Sequence, residues 1–548
     1  MRSNLNDETY IEELTSILTQ VIAETNGINI LDTLELLLKS KTLMSIGQKA
    51  LVKEFESLIL GYQHSRQDIG TLLKHPVAKA LFNFFERFPL RYCEDHIHLT
   101  GSLTAGFIHK ELKPLLDGPN GANYMARIHD IFGGDVAADS EGDLRSLIRL
   151  PSNEEFDRYL KILELPALIL KDREVHSRAA YHMAKTLYHS YNIGRIKLKF
   201  TFSRVSNDPT VLTTSPKDVV MGLFEGFRSF QKEHSDFDFN LSPSFRKESH
   251  YFQSKYKSKK ESFDDQVRQL LELIRDHPEL SPYLNEVDTV GNERELYRKG
   301  HFRDMKDGFR LLQAFGFSIR SHHGEVWHTL GRGIQAVDNA MNIWQINNLE
   351  HGLSLGINPN YYFHSLYQRI VDGNRSRIPI TPNSRDYSEI MDMDWGQDLD
   401  IRDGLIRGDR LNVRQMRKFT KAKFRTAIEI ERYQHDVLNR MIQKNISLVA
   451  LPSSNKRLTG NFSDYKDHPF SWWEKKGVTL GVGTDNYVTL RTNYINEMLI
   501  LLFSDPDNLK ITKILMVTTG ESRRPYLSNL LWQQAKKTRK ANEEGGGK

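Results

Sequence analysis

The sequence predicts an α/β protein, a (β/α)8 TIM-type barrel with a helical N-terminal extension and long inserted segments after strands 1 and 6. Two observations lead to this class. Residues 7–92 carry helical periodicity without a strand signal. Eight short β-rich runs follow, each closing on polar or glycine-containing residues, and helical stretches separate them. Alternation by itself also permits a doubly wound open sheet.

Taken in order, the first helix is marked by Tyr10, Ile11, Leu14, Ile17, Leu18, Val21 and Ile22, which recur at helical spacing as one apolar stripe. Further helical runs cover 31–39, 47–61 and 75–87. The strands are expected at the run into "HIHL" (96–99), "IKLKFTF" (196–202), "FDFNLSPSF" (237–245), "NEVDTVGNE" (285–293), "FSIRSHHGE" (317–325), "INNLEHG" (346–352), "ISLVALPSSN" (446–455) and "VTLGVGTDN" (478–486). Roughly 95 residues separate the first two and roughly 90 the sixth and seventh, far beyond an ordinary connection, so both gaps hold structure of their own. The expected organisation is a helical extension over 1–92 and a barrel over 93–535 with insertions at about 103–190 and 356–440. A tail over 536–548, ending "EEGGGK", is expected to be disordered.

Composition narrows the function classes. The chain has 548 residues, 39% hydrophobic and 26% charged, enough for a substantial core in a soluble protein. Its 75 basic and 70 acidic residues give a net charge of +5, a mild excess that does not call for nucleic acid. A single cysteine, Cys93, excludes an internal disulfide and any multi-cysteine zinc site. No secretory pattern opens the chain, and apolar stretches such as "MLILLF" (498–503) fall well short of the ~20 residues that span a bilayer, so no membrane partner and a cytoplasmic location are expected.

In a (β/α)8 barrel the reacting groups stand at the C-terminal ends of the strands. Those ends carry, in order, His96 and His98, Gly291, His322 and Glu325, His351, and Asp485 and Asn486. His96 and His98 are two apart, so a β-strand points both imidazoles to one side. Imidazoles and a carboxylate on converging strands make a nitrogen/oxygen donor set that suits zinc. A lone His-x-His carries little weight; the joint order and placement carry the argument.

With these motifs in place the sequence resembles the adenosine/AMP deaminase family of zinc aminohydrolases. "HIHLTGSL" is similar to its opening histidine pair and "VDTVGNE" to its glycine-containing fourth strand end. "SHHGE" resembles its His-x-Gly-Glu, "EHG" its His-Gly, "LPSSN" its Pro-x-Ser-Asn, and "GTDN" its Thr-Asp-Asp. The matches run in order from 96 to 486, leaving the extension and insertions uncovered. The resemblance implies one zinc ion per subunit, held by His96, His98, His322 and Asp485, that activates a water for attack on carbon 6 of an adenine ring. It gives Glu325 the protonation of ring nitrogen 1, and His351 and Asp485 the handling of the attacking water. Gly291 is given a backbone N–H to ring nitrogen 3, and Asn486 a contact to ring nitrogen 7. Large bacterial members with insertions form homo-oligomers and occur in antiviral defence, so a homo-oligomer is the implied assembly.

Two departures refine the expectation. The family's adenosine enzymes place an aspartate directly after His-x-His-Leu, where it binds the ribose 5′-hydroxyl; here Thr100 stands there, followed by Gly101 and Ser102. A threonine hydroxyl can donate to a 5′-phosphate that an aspartate would repel, so Thr100 and Gly101 are assigned to a 5′-phosphorylated adenine nucleotide such as AMP, dAMP or ATP, in preference to a nucleoside. Asn486 replaces a second aspartate and donates without first taking up a proton.

Competing signals are weaker. "GLSLG" (352–356) fits the Gly-x-Ser-x-Gly pattern of a nucleophilic serine at Ser354, but overlaps "EHG". In "RLNVRQMRKFTKAKFR", Arg410, Arg414, Arg417, Lys421 and Arg425 share a helical face, to be read as a solvated surface before an oligomer or nucleic-acid contact. The stretch 245–262 mixes bases with aromatics and is read as a mobile surface loop. The alternatives to an adenine deaminase are a related zinc hydrolase acting on another heterocyclic amine, and a non-catalytic assembly module that binds nucleic acid or a partner protein.

Overall fold

Eight parallel strands ordered β1 to β8 form the centre of the computed structural model, which describes residues 8–25, 28–39, 44–64, 68–151, 156–203, 214–519 and 524–545. They are β1 Tyr92–His98, β2 Ile193–Thr201, β3 Asp238–Arg246, β4 Glu286–Val290, β5 Ser318–His323, β6 Asn348–His351, β7 Ser447–Ala450 and β8 Leu480–Val482. Each falls within or against one of the eight predicted runs. The ring closes just beyond β8, where His98 N donates to Asp485 O at 2.8 Å and Asp485 N to His96 O at 2.9 Å. That closure is a barrel and not an open sheet.

Five helices precede the barrel: α1 Glu8–Glu24, α2 Ile30–Lys39, α3 Ile46–His64, α4 Ile69–Lys74 and α5 Pro76–Glu86. The stripe on α1 buries Ile11, Leu14, Leu18, Val21 and Ile22 against α5. Pro76 opens α5, a first-turn position where its missing N–H and fixed φ cost nothing. Between β1 and β2 lie α6 Ala105–Leu116, α7 Gly121–Phe132, α8 Glu141–Leu147, α9 Phe156–Ile162, α10 Glu164–Ile169 and α11 Arg173–Tyr191. The outer helices continue with α12 Pro216–Glu233, α13 Lys259–Asp276, α14 Arg303–Ala314 and α15 Leu330–Asn339. Between β6 and β7 come α16 Pro359–Arg375, α17 Arg385–Asp392, α18 Leu399–Arg407 and α19 Val413–Gln443; α20 Pro452–Thr459 and α21 Phe470–Lys475 then precede β8. The chain finishes with α22 Tyr494–Ser504, α23 Ile511–Thr519 and α24 Arg524–Gly545.

The end of the chain differs from the sequence expectation. α24 runs through most of the segment expected to be disordered, and packs on α1; residues 546–548 lie outside the described residues. The stretch 245–262 also differs, since it is tied down at both ends. Lys259 is buried and its Nζ donates to Arg246 O at 2.6 Å and Tyr251 O at 3.0 Å, while Lys247 turns into the barrel mouth. On α19, Arg414, Arg417 and Lys421 are exposed and Arg425 pairs with Asp394 at 2.7 Å. No helix among the described residues is long and apolar enough to cross a membrane.

Strand alternation sends Ile196, Leu198, Val287, Ile319 and Leu349 into the layer beneath the helices, all fully buried. Their neighbours Lys199, Asp288, Arg320 and Glu350 turn into the barrel, where branched apolar chains are the usual filling. Glu350 accepts from Lys199 Nζ at 3.0 Å, Arg320 Nε and His96 Nδ1 at 2.7 Å. Burial would raise Glu350, but Arg320, Lys199 and His96 outweigh it and hold the carboxylate well below its ordinary range.

Candidate metal centre and active site

Four predicted residues converge at the mouth. His96 Nε2 lies 3.1 Å from His98 Nε2, which lies 3.2 Å from His322 Nε2. Asp485 Oδ1 stands 3.5 Å from His98 Nε2 and 4.0 Å from His96 Nε2. His351 belongs to the same cluster, grouping with His96 and His322. The outer nitrogens of two imidazoles are committed elsewhere, His96 Nδ1 to Glu350 and His322 Nδ1 to Asp288 Oδ1 at 3.1 Å. Those carboxylates hold the Nδ1 protons, so the inner nitrogens carry lone pairs. Burial keeps His96 and His322 well below the ordinary histidine range and brings His98 down to about 3, so all three are neutral.

Lone pairs aimed at one another across 3.1–3.2 Å repel unless a cation lies between them, and the fourth donor is a carboxylate oxygen. This donor set fits a divalent metal, and zinc by its preference for nitrogen and oxygen ligands.

Two ends of the cluster sit on unusual backbone. His351 has φ 64° and Asp485 φ 67°, the left-handed region that residues with a Cβ avoid. Such conformations persist where surrounding contacts enforce them, and they gather at functional sites. His351 Nδ1 donates to Asn455 Oδ1 at 2.8 Å, which leaves Nε2 as the acceptor facing the site. Asp485 is held by the closing backbone bonds and by the Ser454 hydroxyl, which donates to Oδ2.

Glu325 lies 3.8 Å from His351 Nε2 and is 6% exposed. Burial, reinforced by Glu293 and partly offset by Lys247 and Arg294, pushes its carboxyl up to about 8. It is therefore protonated at neutral pH and can donate. Its backbone is anchored by Glu293, whose carboxylate accepts from the N–H groups of Gly324 at 3.2 Å, Glu325 at 2.7 Å and Val326 at 3.0 Å.

The other predicted residues are placed more loosely. Asn486 is fully buried against Gly101, where an added Cβ would lie 1.6 Å from Asn486 Oδ1, so only glycine fits. Gly291 has φ 108° and backs onto Glu248, whose carboxylate would lie 2.2 Å from a Cβ there. Thr100 occupies the half-buried turn that follows β1. Ser354 is fully buried with its N–H bonded to Gly324 O at 2.9 Å, which places it in packing and not on an exposed nucleophile turn.

Sequence reasoning missed Asp288, Glu293, Glu350, Asn455 and Tyr159. The first three had a signal, an acid within or directly after an apolar strand ("VDTVGNE", "NLEH"). Asn455 lay inside a quoted motif but had no role. Tyr159 gave no signal, because with Phe156 and Ile162 it repeats at helical spacing and reads as core.

Fold and site together define a (β/α)8 barrel with a cluster of nitrogen and oxygen donors at the C-terminal mouth that could hold a metal ion. The chain is similar to solved structures of an adenine deaminase from Arthrobacter aurescens, at 11% identity and a TM-score of 0.47 over 82% of this chain and 99% of that one. It is also similar to the N6-methyl-AMP deaminase from Arabidopsis thaliana, at 14% identity and a TM-score of 0.46 over 81% and 96% of the two chains. A third similar structure is arabidopsis ADAL complexed with IMP, at 14% identity and a TM-score of 0.47 over 82% and 98%. No protein-family model and no curated protein matches the sequence.

Proposed function

We propose that this protein is a zinc-dependent aminohydrolase that converts a 5′-phosphorylated adenine nucleotide to its inosine-type product and ammonia. The observation that carries the reading is the meeting of three neutral imidazoles and Asp485 beside a carboxyl, Glu325, that burial keeps protonated. His96, His98, His322 and Asp485 would hold the ion, which when bound would supply a water acidic enough to react near neutral pH.

The remaining steps belong to the chain. Glu325 gives its proton to ring nitrogen 1, drawing electron density from carbon 6 and opening it to attack. His351, its Nδ1–H fixed on Asn455, presents Nε2 as the acceptor that orients the incoming water. Asp485, placed by the bend after β8, accepts a proton as the tetrahedral centre forms. Asp485 passes that proton to the amine, the carbon–nitrogen bond breaks and ammonia leaves, and the proton on the new carbon 6 hydroxyl returns to the Glu325 carboxylate as the carbonyl forms. Asn486 reads ring nitrogen 7, Gly291 offers its N–H to ring nitrogen 3, and Thr100 with Gly101 faces the 5′-phosphate.

The test is ammonia release and product mass from zinc-loaded protein given adenosine, deoxyadenosine, AMP, dAMP and ATP in turn. Release from the phosphorylated substrates is expected. Thr100→Asp should then lower nucleotide turnover by about tenfold or more relative to nucleoside turnover, the effect of a like charge beside the phosphate. Equal loss on both removes Thr100 from phosphate recognition. Silence on all five turns the reading toward another heterocyclic amine.

A further inference from the structure

The insertion between β1 and β2 sends one side chain into the cluster. Tyr159, on α9, is 5% exposed, and its hydroxyl lies 3.4 Å from Asp485 Oδ1. The same oxygen accepts from Asn486 Nδ2, whose other contact is Asp485 Oδ1. Both N–H bonds of the Asn486 amide are therefore engaged, one by its chain neighbour and one by Tyr159. Asn486 Oδ1 is buried without a partner, so the amide cannot turn over to free a donor without burying another unpaired group. α9 is seated across the mouth, with Asp157 3.6 Å from Arg294 on the β4 side and α20 on the other.

We infer that Tyr159 is the gate of the substrate site: its hydroxyl holds the Asn486 donor that a substrate ring nitrogen uses, and swings aside when the ring binds. This rests on the role given to Asn486 above. The exchange is chemically even for Asn486, because a phenolic oxygen and an aromatic ring nitrogen are both acceptors. Asp485 is fixed in the chain, so the Tyr159 bond is the one that gives way. The substrate then works against the closed population, and apparent affinity falls by the fraction of sites that are open.

The test uses the full-length, zinc-loaded protein and its Tyr159→Phe variant, which keeps the ring and removes the hydroxyl. Amide exchange over 156–162 is followed by mass spectrometry, without ligand and with IMP as an unreactive probe. Wild type should exchange severalfold faster when IMP is added, and Tyr159→Phe should exchange faster before any ligand. KM for the deaminated nucleotide should fall about five- to tenfold in the variant, the scale of one or two net hydrogen bonds. Slower exchange with IMP, or a raised KM, would make Tyr159 a ligand contact and overturn the gate. A protein that deaminates nothing defeats the functional reading, yet the ligand-free exchange comparison still decides the latch: identical rates in the two proteins sink it.

Discussion

Inside the barrel, Lys199, Asp288, Arg320 and Glu350 pack against one another and against His96 and His322. In the N-terminal layer, α1 to α5 bury Leu14, Leu18, Leu34, Phe55 and Leu81 in an apolar seam. One region is ordered by charge and hydrogen bonds between residues far apart in sequence, the other by non-directional burial of a stripe. The difference teaches where precision is needed. Burial tolerates small shifts, whereas the inner nitrogens of His96 and His322 meet at the cluster because each outer nitrogen has a fixed partner, Glu350 and Asp288. Changes at the mouth should therefore abolish chemistry and spare the fold, and changes in the helical layer should do the reverse.

The sharpest form of that contrast is Glu325→Gln. It keeps the size and a donor but removes the transferable proton, so turnover should fall about 10²- to 10⁴-fold, the usual contribution of a general acid. Thermal unfolding should move little, because a neutral amide replaces a neutral carboxyl. Steady-state turnover beside a melting curve measures both, and a large loss of melting temperature would break the division.

Glu350→Gln should break it deliberately. The variant leaves Lys199 and Arg320 fully buried without their shared carboxylate, which costs about 3–5 kcal/mol. It also replaces the charged acceptor that fixes His96 Nδ1 with a weaker neutral one, so metal affinity should drop by roughly 10- to 100-fold. Denaturant unfolding and zinc competition with a chelator read the two losses separately.

Leu18→Ala probes the other region alone. Leu18 is fully buried on α1, and its truncation should cost about 2–5 kcal/mol with turnover per folded molecule unchanged. This stripe was legible in the sequence because helical periodicity is local, as were the eight strands, whose short β-rich runs each stop at glycine or polar residues. The metal cluster was legible only through the joint order of the strand ends. What escaped depends on folding itself: Glu293 is a site residue because the turn after β5 lies over its carboxylate, Lys247 because β3 turns it inward from a stretch that looks like surface, and Tyr159 because an insertion crosses the mouth.

The smallest effect concerns pH and separates the regions by sign. In the proposed reaction Glu325 acts in its protonated form, and with its carboxyl near 8 the kcat/KM profile should be flat through neutrality and fall about tenfold per unit above about 8. An ordinary glutamate, near 4.5, would have lost its proton long before. The same shift has a stability counterpart: the folded state favours the protonated form, so this contribution is complete below about 4.5 and disappears as the pH rises through about 8. Leu18 and its neighbours do not titrate, so Leu18→Ala should shift the whole stability curve and leave the alkaline limb where it is. Glu293→Gln should move that limb to lower pH, since Glu293 is the charge that reinforces burial at Glu325. A limb that stays in place would assign the proton to a different group at the mouth.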